Sequence, residues 1–92
     1  MWNELGLLCA DSGLSDRAIA AFEMATRNDP NYARAWNNLG NALRTAGRIA
    51  DAVRAGERAV QADPAYTLAW ANLGALKRDV GAVNDALFML FS

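Results

Sequence analysis

Apolar and small residues recur along this chain at steps of three and four, the spacing of one helix face, with no sustained alternation. Trp36, Leu39, Gly40 and Leu43 form one such stripe, and Ile49, Ala52, Val53, Ala59 and Val60 form a second. Both predict helices. The pattern itself repeats: Trp2, Trp36 and Trp70 lie 34 residues apart, and the same step relates Leu5, Leu39 and Leu73; Gly6, Gly40 and Gly74; Gly13, Gly47 and Gly81; and Ala18, Ala52 and Ala86. Two-fold matches add Ala25 with Ala59, Asp29 with Asp63, Pro30 with Pro64, Tyr32 with Tyr66, and Asn38 with Asn72. Such a period, filled by two amphipathic helices, predicts a row of stacked hairpins rather than a domain with one centre.

Punctuation places the turns. Gly13, Gly47 and Gly81 fall midway in each period, where a residue able to adopt the left-handed conformation lets the chain turn back after the first helix. Asp29-Pro30 and Asp63-Pro64 mark the other junction, with the Asp predicted to cap the next helix and the Pro to sit in its first turn. About six helices follow. Gly6, Gly40 and Gly74 lie inside first helices, where glycine costs about 1 kcal/mol against alanine. Ala18, Ala52 and Ala86 stand at the same height in the second helices, so close approach within each hairpin is the expected compensation.

The residues Ala35-Trp36-Asn37-Asn38-Leu39-Gly40-Asn41-Ala42-Leu43, closed by Asp63-Pro64, resemble the tetratricopeptide repeat family. The resemblance covers all 92 residues as one domain, with repeats 1–32, 33–66 and 67–92, the first and last incomplete. It implies an all-α fold, a right-handed α-solenoid of antiparallel helix hairpins. The departures are informative. Where the family has a large residue in the second helix, repeat one has Phe22 and repeat three Leu90, but repeat two has Gly56, which predicts a gap unless a neighbour fills it. Cys9 and Lys77 stand where Leu43 alone matches the family, so Cys9 reads as a small buried hydrophobe.

Composition narrows the function. Nine Lys and Arg against ten Asp and Glu give a net charge of −1, which supplies no field for nucleic acid or anionic lipid. The chain has no histidine and one cysteine, which removes triads, imidazole bases and ordinary zinc sites. Neither an enzyme, a cofactor nor a metal is expected. No apolar run reaches membrane-spanning length, no signal peptide opens the chain, and a cytoplasmic location is the expectation.

By the resemblance, first helices line a concave groove that takes a peptide or helix of another protein. The implied groove residues are Asn3, Glu4, Leu7, Ala10 and Asp11 from repeat one, Arg34, Asn37, Asn38, Asn41, Arg44 and Thr45 from repeat two, and Leu68, Ala71, Asn72, Ala75, Arg78 and Asp79 from repeat three. Asn38 and Asn72 either hold the backbone of a bound peptide or satisfy neighbouring groups of the fold. Arg44 and Arg78, with Arg34, either meet an anionic group on a partner or form a solvated face paired with Asp11 and Asp79. The pattern departs from the carboxylate clamp that related proteins use for chaperone tails, since of Asn3, Leu7, Asn38, Leu68 and Asn72 only Asn38 fits. The apolar end Phe88-Met89-Leu90-Phe91, with Trp2 at the other end, opens an alternative. In that reading the chain is a self-assembling repeat, or the arm of a larger protein such as a glycosyltransferase.

Overall fold

In the computed structural model the backbone is described for residues 2–91 and the side chains for residues 2–81. Among the described residues five helices follow one another: α1 (Trp2–Asp11), α2 (Ser15–Asn28), α3 (Ala33–Thr45), α4 (Ile49–Ala62) and α5 (Thr67–Phe91). No strand occurs among the described residues. α1 pairs with α2 and α3 with α4 as hairpins; α3 also packs on α1, α2 and α5, α4 packs on α5, and the backbones of α2 and α4 stay apart. First helices are thus close together and second helices splay apart, so the α-solenoid curves towards its first helices. The result is an elongated slab of 48 × 29 × 18 Å.

The turns within the first two hairpins have the expected cause. Gly13 and Gly47 take φ of 76° and 83°, conformations that cost a side chain-bearing residue roughly 1–2 kcal/mol. Each closes its helix by the same pair of bonds: Leu14 N–H to the Cys9 carbonyl and Gly13 N–H to Ala10, then Arg48 N–H to Leu43 and Gly47 N–H to Arg44. This is the Schellman closure, which satisfies carbonyls left over at a helix end. Gly81 behaves differently. α5 runs through it for 25 residues without a break, so the helix count is five and the third expected turn is absent. Glycine permits the left-handed conformation without compelling it, and an unbroken helix keeps every backbone bond across the position.

The Asp-Pro junctions also correct an expectation. Asp29 and Asp63 terminate α2 and α4 instead of capping the helices that follow, and α3 starts after Tyr32 with no side-chain cap. The carboxylates accept from the backbone N–H groups of Asn31 (3.1 Å) and Ala65 (3.0 Å), two residues on. The proline therefore lies in a turn, closed by Tyr32 N–H to Asp29 and Tyr66 N–H to Asp63, and not in a helix. Trp36 and Trp70 donate their indole N–H to the carbonyls of Pro30 and Pro64, each at 2.8 Å, which ties the turn to the helix it introduces.

Two apolar clusters make the core. One joins Ala18, Ile19, Phe22, Leu39, Leu43, Ala52 and Leu76; the other joins Ala59, Val60, Ala69 and Leu73; Trp36 and Val53 touch both. Cys9 is half-buried against the first cluster. Phe22 is almost wholly buried, worth about 1.5–3 kcal/mol of transfer from water, and its ring occupies the space where a Gly6 side chain would stand. Gly40 serves a closer approach, since a Cβ there would lie 3.3 Å from the Ala52 carbonyl oxygen. The expected gap at Gly56 is filled from the next repeat: Leu73 and Leu76 of α5 reach within 3.1 and 3.7 Å of where its Cβ would be.

Candidate functional site

The concave face is built by α1, α3 and the first part of α5, and the amide side chains on it are largely engaged. Asn38 donates to Asn3 Oδ1 at 2.8 Å, and Asn72 donates to Asn37 Oδ1 at 2.9 Å. The two bonds are related by one repeat and each spans 35 residues, so each crosses a repeat boundary. Asn3 also donates to the Tyr32 hydroxyl at 3.4 Å. Asn3 and Asn37 are buried at 3% exposure each. The pairing is what makes that burial tolerable, because an unpartnered buried amide costs about 1–3 kcal/mol. Asn3 and Asn37 therefore sit between helices and present almost nothing to a groove. Asn38 and Asn72 remain half-buried, with one N–H committed and the carbonyl oxygen without a partner among the described residues.

One depression on this face has the form of a side-chain seat. It holds about 170 Å³ between α1 and α3, with Leu7 and Ala10 on one wall, Asn38, Asn41 and Thr45 on the other, and Ala18 and Phe22 of α2 at the floor. Five expected groove residues meet here: Leu7, Ala10, Asn38, Asn41 and Thr45. Asn41 is exposed, and its side-chain amide has no partner among the described residues. Ser15, the first residue of α2, also lines the depression; considering first helices alone misses it, because it enters from the second helix.

The basic residues separate. Arg44 pairs with Asp79 at 2.9 Å, both side chains about two-fifths exposed, and so bridges α3 to α5. Arg44 and Asp79 stand one repeat after Ala10 and Thr45. The second interval of the array thus carries an ion pair where the first has the open walls of the depression. Arg34 lines a separate shallow hollow of about 480 Å³ between the two Asp-Pro turns, with Asn31, Tyr32, Asp63 and Tyr66. It does not join Asn38 and Asn41. Arg78 is exposed and Ala75 half-buried on α5, with no ion pair to Arg78 among the described residues. Trp2 is 37% exposed at the end of α1. The side chains of Phe88, Met89, Leu90 and Phe91 lie outside the described residues.

Among the described residues, no cluster of three or more His, Cys, Asp or Glu is arranged to hold a metal, and no helix is long and apolar enough to cross a membrane. Glu4, exposed on α1, has its pKa lowered, chiefly by hydrogen bonding to its carboxylate. The site combines an apolar depression, amide groups at its rim and a curved wall of stacked helices. These features define a helical-repeat array.

The comparison with known families agrees. The family model for the tetratricopeptide repeat matches residues 1–67, and the chain belongs to that family. No curated protein matches it. Tetratricopeptide repeats generally mediate contacts between proteins, and they are typically non-catalytic.

Proposed function

We propose that this chain binds an extended peptide or a helix of another protein along its concave face, seating one apolar side chain of that partner between α1 and α3. The depression floored by Ala18 and Phe22 carries the reading. Its volume is comparable to the ~150 Å³ that accommodates a benzene-sized group in a protein interior. An apolar side chain entering it covers the floor, while the free carbonyl of Asn38 and the amide of Asn41 are placed to accept and donate to the backbone on either side. With Asn3 and Asn37 locked in the scaffold, specificity comes from the size of the seat and from few polar contacts. A net charge of −1 favours a partner recognised by shape over one recognised by charge.

The test begins with peptides selected from a random displayed library on the 92-residue chain. Ala10→Trp, at an exposed wall position, fills the seat over its Ala18 and Phe22 floor while replacing no buried side chain. Selected peptides are expected to lose affinity at least about tenfold on Ala10→Trp, which is 1.4 kcal/mol, and to weaken on Asn41→Ala. Undiminished binding to both variants, with circular dichroism showing them folded, removes this surface from consideration.

A further inference from the structure

Gly81 follows Gly47 by the same 34 residues that separate Gly47 from Gly13. Gly13 and Gly47 have positive φ, whereas α5 passes through Gly81 as helix. The first half of α5 is consequently without the hairpin partner that α1 and α3 possess, and two described positions record it. Gly6 lies under the Phe22 ring and Gly40 under the Ala52 carbonyl, yet nothing lies within 4 Å of where a Gly74 side chain would be. Trp36 is half-buried against both core clusters, with the Arg58 guanidinium 5.8 Å from its ring, whereas Trp70 is 51% exposed.

The register of the array says what fits this face. Gly40 lies against Ala52, Ala55 and Gly56, so facing positions are disposed about Gly47. One repeat on, the same relation sets Ala86, Met89 and Leu90 opposite Gly74, disposed about Gly81. In a continuous helix those residues stand beyond Gly81 on the same rod, roughly 20 Å from Gly74 at 1.5 Å per residue, and they cannot fold back on it. They can reach the Gly74 of another molecule.

We infer that two copies of this chain exchange the second halves of α5. The two α5 helices lie antiparallel and cross at Gly81, so that residues 83–91 of each copy cover the Trp70–Gly74 face of the other. A two-fold axis through the crossing reproduces every facing pair that a closed hairpin would make. Glycine at the crossing lets the backbones approach. The contact is self-complementary and closes at two, unlike a head-to-tail contact through Trp2, which would propagate. A second copy is the fitting occupant because it carries the segment whose register matches the open face.

The test uses the whole chain. Sedimentation velocity from low to high micromolar concentration is expected to show a dimer. Val83→Pro is the hinge variant: residue 83 matches Ser15 and Ile49, the first residues of α2 and α4, where proline is tolerated. The preceding residue matches Leu14 (φ −95°, ψ 69°) and Arg48 (φ −89°, ψ 68°), both outside the α region that a following proline disfavours. In the continuous helix the same proline removes a backbone bond and clashes with the preceding turn. Val83→Pro is therefore expected to be a folded monomer. Independently, Gly81→Cys in a Cys9→Ser background is expected to form an intermolecular disulfide on mild oxidation, a readout that holds even if the proline variant fails to fold. A monomeric parent chain at high micromolar concentration overturns the inference. So does a dimer that survives Val83→Pro, or one that gives no crosslink at residue 81, since either places the contact elsewhere.

Discussion

Gly56→Phe would restore the large residue that the repeat pattern expects and that Phe22 supplies one repeat earlier, and by pattern alone it should stabilise the chain. The packing argues the reverse. A bare Cβ at Gly56 already meets Leu73 Cδ1 at 3.1 Å, with Leu73 Cβ at 3.6 Å and Leu76 Cδ1 at 3.7 Å. Both leucines are buried, at 4% and 2% exposure, so a ring placed beyond that Cβ displaces them or moves α5. Overpacking of this kind costs roughly 1–3 kcal/mol. Replacing glycine within a helix returns about 0.5 kcal/mol, since phenylalanine is itself a middling helix former. A net loss of roughly 0.5–2.5 kcal/mol follows, read as a lower urea midpoint by circular dichroism and tryptophan fluorescence. Leu73→Ala alone should cost about 2–5 kcal/mol by opening a cavity beside Gly56. In the double variant the ring occupies that cavity, so the combined loss should fall short of the sum by about 1 kcal/mol or more. An increased midpoint for Gly56→Phe, or strict additivity with Leu73→Ala, would show that Leu73 and Leu76 do not occupy the space Gly56 leaves.

Three further outcomes can be checked by the same unfolding curves. Gly47→Ala forces a side chain into φ of 83° and should lose roughly 1–2 kcal/mol, although nothing lies within 4 Å of the new Cβ and no contact is disturbed. Asn38→Ala leaves the buried Asn3 carbonyl without its donor and should cost about 1–3 kcal/mol, more than the same change at the exposed Asn41. Arg44→Ala should change stability by less than about 1 kcal/mol, and the difference should shrink in high salt, because its pair with Asp79 is substantially exposed.

The periodicity made most of the fold legible. A glycine recurring between two amphipathic stretches located the turns at Gly13 and Gly47, since a left-handed cap is a local requirement that local sequence can state. The same residue at Gly81 did not turn, because whether a permissive position bends depends on what its flanking halves pack against. Gly56 was visible as a missing side chain, yet its filler, Leu73 and Leu76, comes from the next repeat and is invisible to a comparison of like positions. The asparagines show the same limit. Aligning Asn38 with Asn72 left open whether they hold a bound peptide or satisfy neighbouring groups and could not name the groups they bond, since the bonds run from Asn38 to Asn3 and from Asn72 to Asn37, between unlike positions in adjacent repeats. The depression under Asn38 and Asn41 was half legible: the first-helix residues were in view, and the α2 residues that floor it were not.

Those two amide bonds bear on how the concave face would meet a partner. Each fastens a first helix to its neighbour at one height, so slippage by a single turn, about 5.4 Å, would unpair both and strand buried carbonyls. The curvature of the face is therefore settled before any encounter. A ligand of the proposed kind would have little ordering of the receptor left to bring about, and the association penalty would fall mainly on the ligand's own freedom. On that account a peptide pre-shaped by a turn or a helix gains more here than one that merely adds contacts.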